Sequence, residues 1–511
     1  MKTPNNDLFD LIKTLAKSEK TYFKRSAYDT GEGKIYIKLF DEIDKQSVYD
    51  EKKLKQKFSH IKQFSVLKNQ LYDAILDALG RLANRLNYTY KVSVMVKKSD
   101  QLYNRGLYGQ SEKLLLKAKK AAYQSEDFTA LLQIVAVEKK LILKQLKRDE
   151  KKIRELHKEE NNIMLLLKNL SEYNEIFTKT YLYFLMYGYI RNKSEDKRFI
   201  RNTFALSYEK LLKNTKSKRA EQFLMETFHL YHTSKFDTEN AMKFNRASLK
   251  IMEDNTALLR SNVERYLATF QNYVLQYFYK GDIENLESSA GKLRTFLETT
   301  KIHIPRLVRV TAQGKIYDIL LSAYHASCKF DKAIDVLVKA EMLVEENFSV
   351  IDKSVKNVTY QMGTFIYFTT EDYDNALRLS NKLLNDPDSV KFLEVYCFIL
   401  LLQLLIHYEL GNYDLIEYIT KSTKRYLSKS EKLYKIERIM LTFFNKVIRS
   451  ENEDKSELFK TLEGNLNELR NDKDEGVFEY YDFSSWCESK LRKMKIKDVL
   501  TEKYVKGLKM S

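Results

Sequence analysis

Apolar residues recur along this chain three and four positions apart, the spacing of one helix face, and short polar stretches interrupt the runs. Leu8, Leu11, Ile12 and Leu15 mark a first stripe, and Ile35, Leu39, Phe40 and Ile43 a second. Asp50 reads as the N-cap of a third helix through Leu54 to Phe58, and Val66, Leu67, Leu71, Ile75, Leu76 and Leu79 place a fourth over 64–82. Further stripes predict helices over 111–123, 128–147, 151–170 and 173–191. From residue 203 they come in pairs: 223–231 with 241–251, 263–279 with 283–297, 316–326 with 332–344, 355–368 with 375–384, and 393–408 with 415–427. Helices over 433–449, 455–469 and 478–494 follow.

The joints of the pairs share a loose phrase: an aromatic, a tight polar turn, a second aromatic or apolar residue, then an amphipathic helix. It reads Tyr324 to Ala333 (YHASCKFDKA), Tyr367 to Ala376 (YFTTEDYDNA) and His407 to Ile416 (HYELGNYDLI). The residues taken as markers after each turn, Phe236, Ile283, Phe330, Tyr373 and Tyr413, stand 47, 47, 43 and 40 positions apart. Helix pairs that cannot bury their apolar faces alone must stack. The expected fold is therefore all-α, an elongated α-solenoid of antiparallel helix hairpins with an N-terminal helical cap. The expected segments are an N-terminal helical unit (1–95), a basic long-helix region (96–200), the solenoid (201–430) and a C-terminal helical cap with a basic tail (431–511).

Over roughly 205–430 the pattern resembles tetratricopeptide repeats. The best unit, 314–347, carries Tyr317, Leu320, Tyr324, Phe330, Ala333, Leu337 and Ala340 at the family's positions, with Leu321 where a glycine is usual and Glu345 where proline is usual. The next keeps Tyr360, Tyr367, Tyr373, Ala376 and Pro387 but has Gly363 in place of leucine, and the last keeps Gly411 and Tyr413 with Ile416 in place of a small residue. The periods exceed the family's length of about 34. Some members clamp a partner's terminal carboxylate with Lys, Asn and Arg. Here those positions hold Asp318, Ser322 and Met362, with Ile319 and Leu402 nearby, so that clamp is missing.

Composition supports helices: 3 prolines and 14 glycines in 511 residues leave little material for sheet turns. Three cysteines without a CxxC pair imply neither a disulfide framework nor a thiolate metal site. The charged N-terminal stretch is no signal peptide, and the longest apolar run, 395–408, is too short for a bilayer, so a cytoplasmic location is expected. Net charge is +18, and residues 51–250 hold 41 Lys and Arg against 22 Asp and Glu. Residues 251–400 hold 17 against 20, so the excess lies early in the chain. Such a skew points to a polyanionic neighbour such as nucleic acid, a ribosome or an acidic protein.

Candidate polyanion contacts are Lys52, Lys53, Lys55, Lys57, Lys62 and Lys68, with the interleaved cluster Arg81, Arg85, Tyr88, Tyr90 and Lys91, where rings can stack on bases between phosphate contacts. Residues 50–82 also allow a helix-turn-helix reading, with Lys62, Gln63, Lys68, Asn69 and Gln70 on the recognition helix. Catalytic signals are poor. Gly33-Lys34 lacks the rest of a phosphate loop, and Glu226, His229 and His232 offer one helical ligand group where a di-metal carboxylate site needs two. The expectation is a non-enzymatic scaffold or adaptor, without cofactor, membrane span or small-molecule substrate, holding a protein partner on its repeat surface. Two alternatives stand beside it: a nucleic-acid- or ribosome-associated factor using 51–250, and a regulator with an N-terminal effector module, which resembles bacterial peptide-sensing regulators in layout.

Overall fold

The computed structural model describes residues 6–28, 33–86, 88–144, 149–187, 190, 193–386, 393–429, 435–450, 455–470 and 483–506, and the regular structure among them is entirely α-helical. The chain divides into two compact units, one of residues 1–282 with 291–309 and the other of 283–290 with 310–511. That division falls inside the segment 201–430, which the sequence pattern treats as one piece.

The first unit holds two apolar cores. The earlier runs from Leu8 to Ala78 and joins helices Asp7–Thr14, Lys17–Tyr28, Gly33–Lys45, Glu51–Lys57 and Phe64–Leu86. Asp50 caps the fourth of these as expected, its side chain accepting from the Lys53 N–H at 3.0 Å. The later core runs from Val92 to Phe244 through helices Tyr88–Asn104, Tyr108–Gln124, Phe128–Lys144, Glu150–Tyr187, Lys193–Thr203, Tyr208–Asn214, Lys218–Ser234 and Thr238–Glu253.

Two expectations fail here. The break between 170 and 173 is absent: Glu150–Tyr187 is one helix of 38 residues. No Gly or Pro interrupts it, and Leu156, Ile163, Leu170, Tyr173 and Thr180 carry one buried stripe through the join. The expected boundary between 200 and 201 falls inside a helix, Lys193–Thr203. Its Phe199 is fully buried against Tyr183 and Tyr231, with ring centres 4.9 and 5.5 Å away; residues 191 and 192 lie outside the described ones.

In the second unit one core extends from Val310 to Leu500. Its helices are Arg306–Ala326, Phe330–Glu346, Lys353–Thr369, Tyr373–Leu384, Leu393–Glu409, Tyr413–Lys429, Lys435–Val447, Lys455–Arg470, Phe483–Arg492 and Ile496–Val505. The last two do more than cover an end. Trp486 is fully buried among Tyr408, Phe443, Phe444 and Phe459, and its indole N–H donates to Glu409 at 2.6 Å. The Ile496 N–H reaches Glu371, in the connection before Tyr373–Leu384, at 3.4 Å.

One turn joins the helix pairs throughout. Residues 106, 126, 236, 281, 328, 371 and 411 all adopt positive φ, between 52° and 76°. At Phe236 the pattern is complete: its N–H returns to the Thr233 carbonyl at 3.0 Å and the Asp237 N–H to the His232 carbonyl at 3.0 Å. This is the Schellman arrangement, which satisfies carbonyls that the helix end leaves open. The residue after the left-handed one caps the next helix; Asp127, Asp237 and Asp372 each accept an N–H three positions on, at 3.0 to 3.2 Å. The rings of the phrase meet across the turn, as in Tyr103 with Tyr108, Phe368 with Tyr373 and Tyr408 with Tyr413, 5.5 to 5.8 Å apart. The marker at Phe236 is corrected by this geometry: it is itself the left-handed residue, two positions before the equivalent of the other four. Aligned on that residue, the last five turns stand 45, 47, 43 and 40 positions apart.

The residues chosen for the tetratricopeptide likeness are largely core. Tyr324, Phe330, Ala333, Leu337, Ala340, Tyr367 and Ala376 are buried, Tyr317, Leu320 and Tyr373 half-buried, and Tyr413 exposed. Gly363 explains its own departure: a Cβ there would lie 2.4 Å from Leu379 Cδ1 and 2.9 Å from Leu337 Cδ1.

Candidate functional site

The early lysines divide when their partners are traced. Lys52, Lys53 and Lys62 are exposed and make no ion pair among the described residues, whereas Lys55 pairs with Glu51 at 2.8 Å and Lys57 with Glu42 at 2.6 Å. Lys68 is corrected outright as a surface contact. It is 7% exposed, and its ammonium donates to the Tyr49 hydroxyl and to Glu51, both at 2.9 Å. Bonds from Lys55 and Lys68 hold the Glu51 carboxyl down at about 2, so this group stays charged and the ammonium stays engaged. Lys62 and Gln63 precede the helix that begins at Phe64 and Lys68 is buried on it, so of the recognition-helix candidates only Asn69 and Gln70 lie on the helix without being buried.

The clearest basic surface lies just beyond. Helices Tyr88–Asn104 and Tyr108–Gln124 pack on each other and turn Val92, Val96 and Ser99, and Ser111, Leu115, Ala118 and Ala122, into the interior. Their outward sides carry Lys91, Lys97, Lys98, Lys113, Lys117 and Lys120, and the turn between them Arg105, all exposed and none in an ion pair among the described residues. Only two acids lie in 88–124: exposed Asp100, and Glu112, which faces Lys152 at 3.4 Å. The eighth cation, Lys119, points elsewhere and binds Glu138 and Glu159 at 2.7 Å each. Unpaired exposed ammonium groups keep their counterions loosely, so a polyanion can displace those ions with a gain in entropy.

The aromatic cluster adjoins this surface. Arg81, Tyr90 and Lys91 are exposed and Tyr88 is half-buried; the Arg85 side chain lies outside the described residues. Tyr88 also lines an open cavity of about 400 Å³ with Gln124, Asp254, Asn255, Thr256, Ala257 and Arg260. Asn255 braces its wall, donating to the Gln124 carbonyl at 3.3 Å while its own side chain caps helix Thr256–Ser261.

The suspected ligand group disperses into separate contacts. Glu226 faces Arg265 at 3.2 Å and accepts from Gln222, Ser248 and Thr269 at 3.0 to 3.3 Å; burial pushes its carboxyl up while Arg265 opposes. His229 Nδ1 lies 3.1 Å from the Ala241 carbonyl, and burial drives its imidazole down to about 4. His232 pairs with Asp237 at 2.8 Å across the turn, and among the described residues no three His, Cys, Asp or Glu side chains are grouped to hold a metal. At the clamp positions Asp318, Ser322 and Met362 are all half-buried; the Asp318 carboxyl lies near the Thr359 hydroxyl at 3.4 Å and is raised well above its usual range by desolvation.

The sequence could have revealed the basic face itself: from Lys113 to Lys120 no acid stands one turn along from a lysine. No helix among the described residues is long and apolar enough to cross a membrane. No family model matches the chain, and no curated protein and no solved structure matches it either.

Proposed function

We propose that the chain is a helical-repeat interaction protein that binds nucleic acid through the outward side of helices Tyr88–Asn104 and Tyr108–Gln124. The observation that carries this is the set of seven exposed cations without ion-pair partners against a single uncommitted acid. The scaffold reading, a protein segment held by stacked tetratricopeptide-like helices, needs the first helices of the pairs to present an open side. Two of these helices are closed, Lys353–Thr369 leaving only its N-terminal Lys353 exposed and Lys218–Ser234 only Lys218, whereas Val263–Lys280 exposes Glu264, Ala268, Asn272, Tyr279 and Lys280. The two closed helices favour an outward contact. No catalytic group enters the proposal.

The test is binding of a labelled mixed-sequence oligonucleotide by fluorescence anisotropy. The expected Kd rises about 10³-fold between about 50 and 200 mM salt, as several phosphates exchange their counterions for lysines. The charge reversal Lys98→Glu, Lys117→Glu and Lys120→Glu, all at exposed positions, should abolish binding while leaving the circular dichroism spectrum unchanged. A flat salt response, or wild-type binding by the reversed protein, overturns the proposal. Partners captured from lysate that survive nuclease and ignore the charge reversal would return the case to a protein scaffold.

A further inference from the structure

The cavity at Tyr88 lies where both basic helices terminate on one side: Tyr88 is the first residue of one and Gln124 the last of the other. Lys91 stands about one turn from Tyr88, and Lys120 one turn from Gln124, so the cations lead up to its mouth. We infer that this cavity receives an unpaired nucleobase, and that the basic face therefore prefers single-stranded over double-stranded nucleic acid. This rests on the nucleic-acid reading above and narrows it.

The chemistry of the lining selects the base over the phosphate. Tyr88, half-buried, supplies a ring against which a planar group can stack. Gln124 and Thr256 offer side chains that both donate and accept, Arg260 donates, and Asp254 accepts only. A carboxylate in the wall repels a phosphate but accepts from the exocyclic amine of a base. The lysines one turn away suit the phosphates on either side. A volume of about 400 Å³ is at the small end of ligand sites and is ample for one base. A base inside a duplex cannot enter without being unstacked and unpaired, which costs a few kcal/mol; a single strand offers it freely.

The experiment measures anisotropy of the full chain with a mixed-sequence single strand, the duplex of the same length, and heparin as a polyanion without bases. Tyr88→Leu keeps an apolar side chain but removes the ring; it should weaken single-strand binding about tenfold and leave duplex and heparin within about twofold. Tyr88→Phe keeps the ring and should bind the single strand like wild type. Thr256→Trp, an exposed position that fills the cavity, should reproduce the loss without touching Tyr88. Equal weakening of all three probes by Tyr88→Leu, or unchanged single-strand binding by both Tyr88→Leu and Thr256→Trp, overturns the inference. In the second case, sensitivity to the lysine reversal would leave the nucleic-acid reading standing. Failure of wild type to bind any of the three probes at low salt overturns both.

Discussion

Phe236 sits in the left-handed region with φ of 57° while 65% exposed. A side chain in that conformation costs about 1–2 kcal/mol, and here little burial offsets it. Phe236→Gly should therefore raise the urea midpoint by the equivalent of about 0.5–1 kcal/mol, after the greater entropy of glycine in the unfolded chain is deducted. Gly411, at φ of 73° in the equivalent place, has open space around a notional Cβ, so Gly411→Ala should lose about 1 kcal/mol through backbone strain alone. The turn itself was legible because Asp or Asn follows five of the seven left-handed residues, at 127, 237, 282, 372 and 412. The strain was not, since Phe236 reads in sequence like the aromatic that elsewhere follows the turn. Histidines add a pH response at the same scale. Burial drives both His229 and His325 down to about 4, so between about 6.5 and 4 the unfolded chain takes up protons that the folded one refuses. Their stabilisation is complete above about 6.5 and is lost as pH falls toward 4. His325→Leu, which also removes a buried Nε2 without a hydrogen-bond partner, should lose about 2 kcal/mol less than wild type between pH 6.5 and 5 in urea titrations. An equal loss in both proteins would refute this.

Helix identity was legible nearly everywhere, and the errors have physical causes. Three of the second helices of the pairs, Phe330–Glu346, Tyr373–Leu384 and Tyr413–Lys429, begin two residues earlier than the periodicity predicts. The residue after the left-handed one is already the cap, so the aromatic assigned to the turn is the first helical residue. Close approach between helices was invisible. Gly314 looks like an unfavourable helix residue, yet a Cβ there would lie 2.3 Å from Val355 Cγ1. Valine has one strongly preferred rotamer in a helix and cannot turn aside. Gly314→Ala should therefore destabilise by about 1–3 kcal/mol, despite alanine's better helix propensity. The expected Tm falls; a rise would show that helices Arg306–Ala326 and Lys353–Thr369 can separate without cost. At Gly363 the obstructing atoms are the ends of leucine side chains, which have more freedom to move.

For the molecule as a whole, charge was legible as a total and illegible as a surface. The excess in residues 51–250 is real, but Lys55, Lys57, Lys68 and Lys119 spend their charge on glutamates of other turns or helices. Pairing between helices, as in Lys57 with Glu42 and Lys119 with Glu138, cannot be read from composition, and it separates the engaged lysines from the uncommitted ones over 91–120. The cavity beside it depends on Tyr88 meeting residues 254–260, a proximity that no local pattern encodes. The burial of Trp486 has a consequence in time. Its pocket is built from Tyr408, Phe443, Phe444 and Phe459, so every wall precedes the indole in synthesis. At about 5–20 residues per second, the stretch from Phe459 to Trp486 takes the ribosome about 1–5 seconds, and during that interval all four aromatic rings exist with no plug. A nascent chain paused or truncated there carries an open greasy socket, the kind of surface that holdase chaperones and degradation machinery recognise.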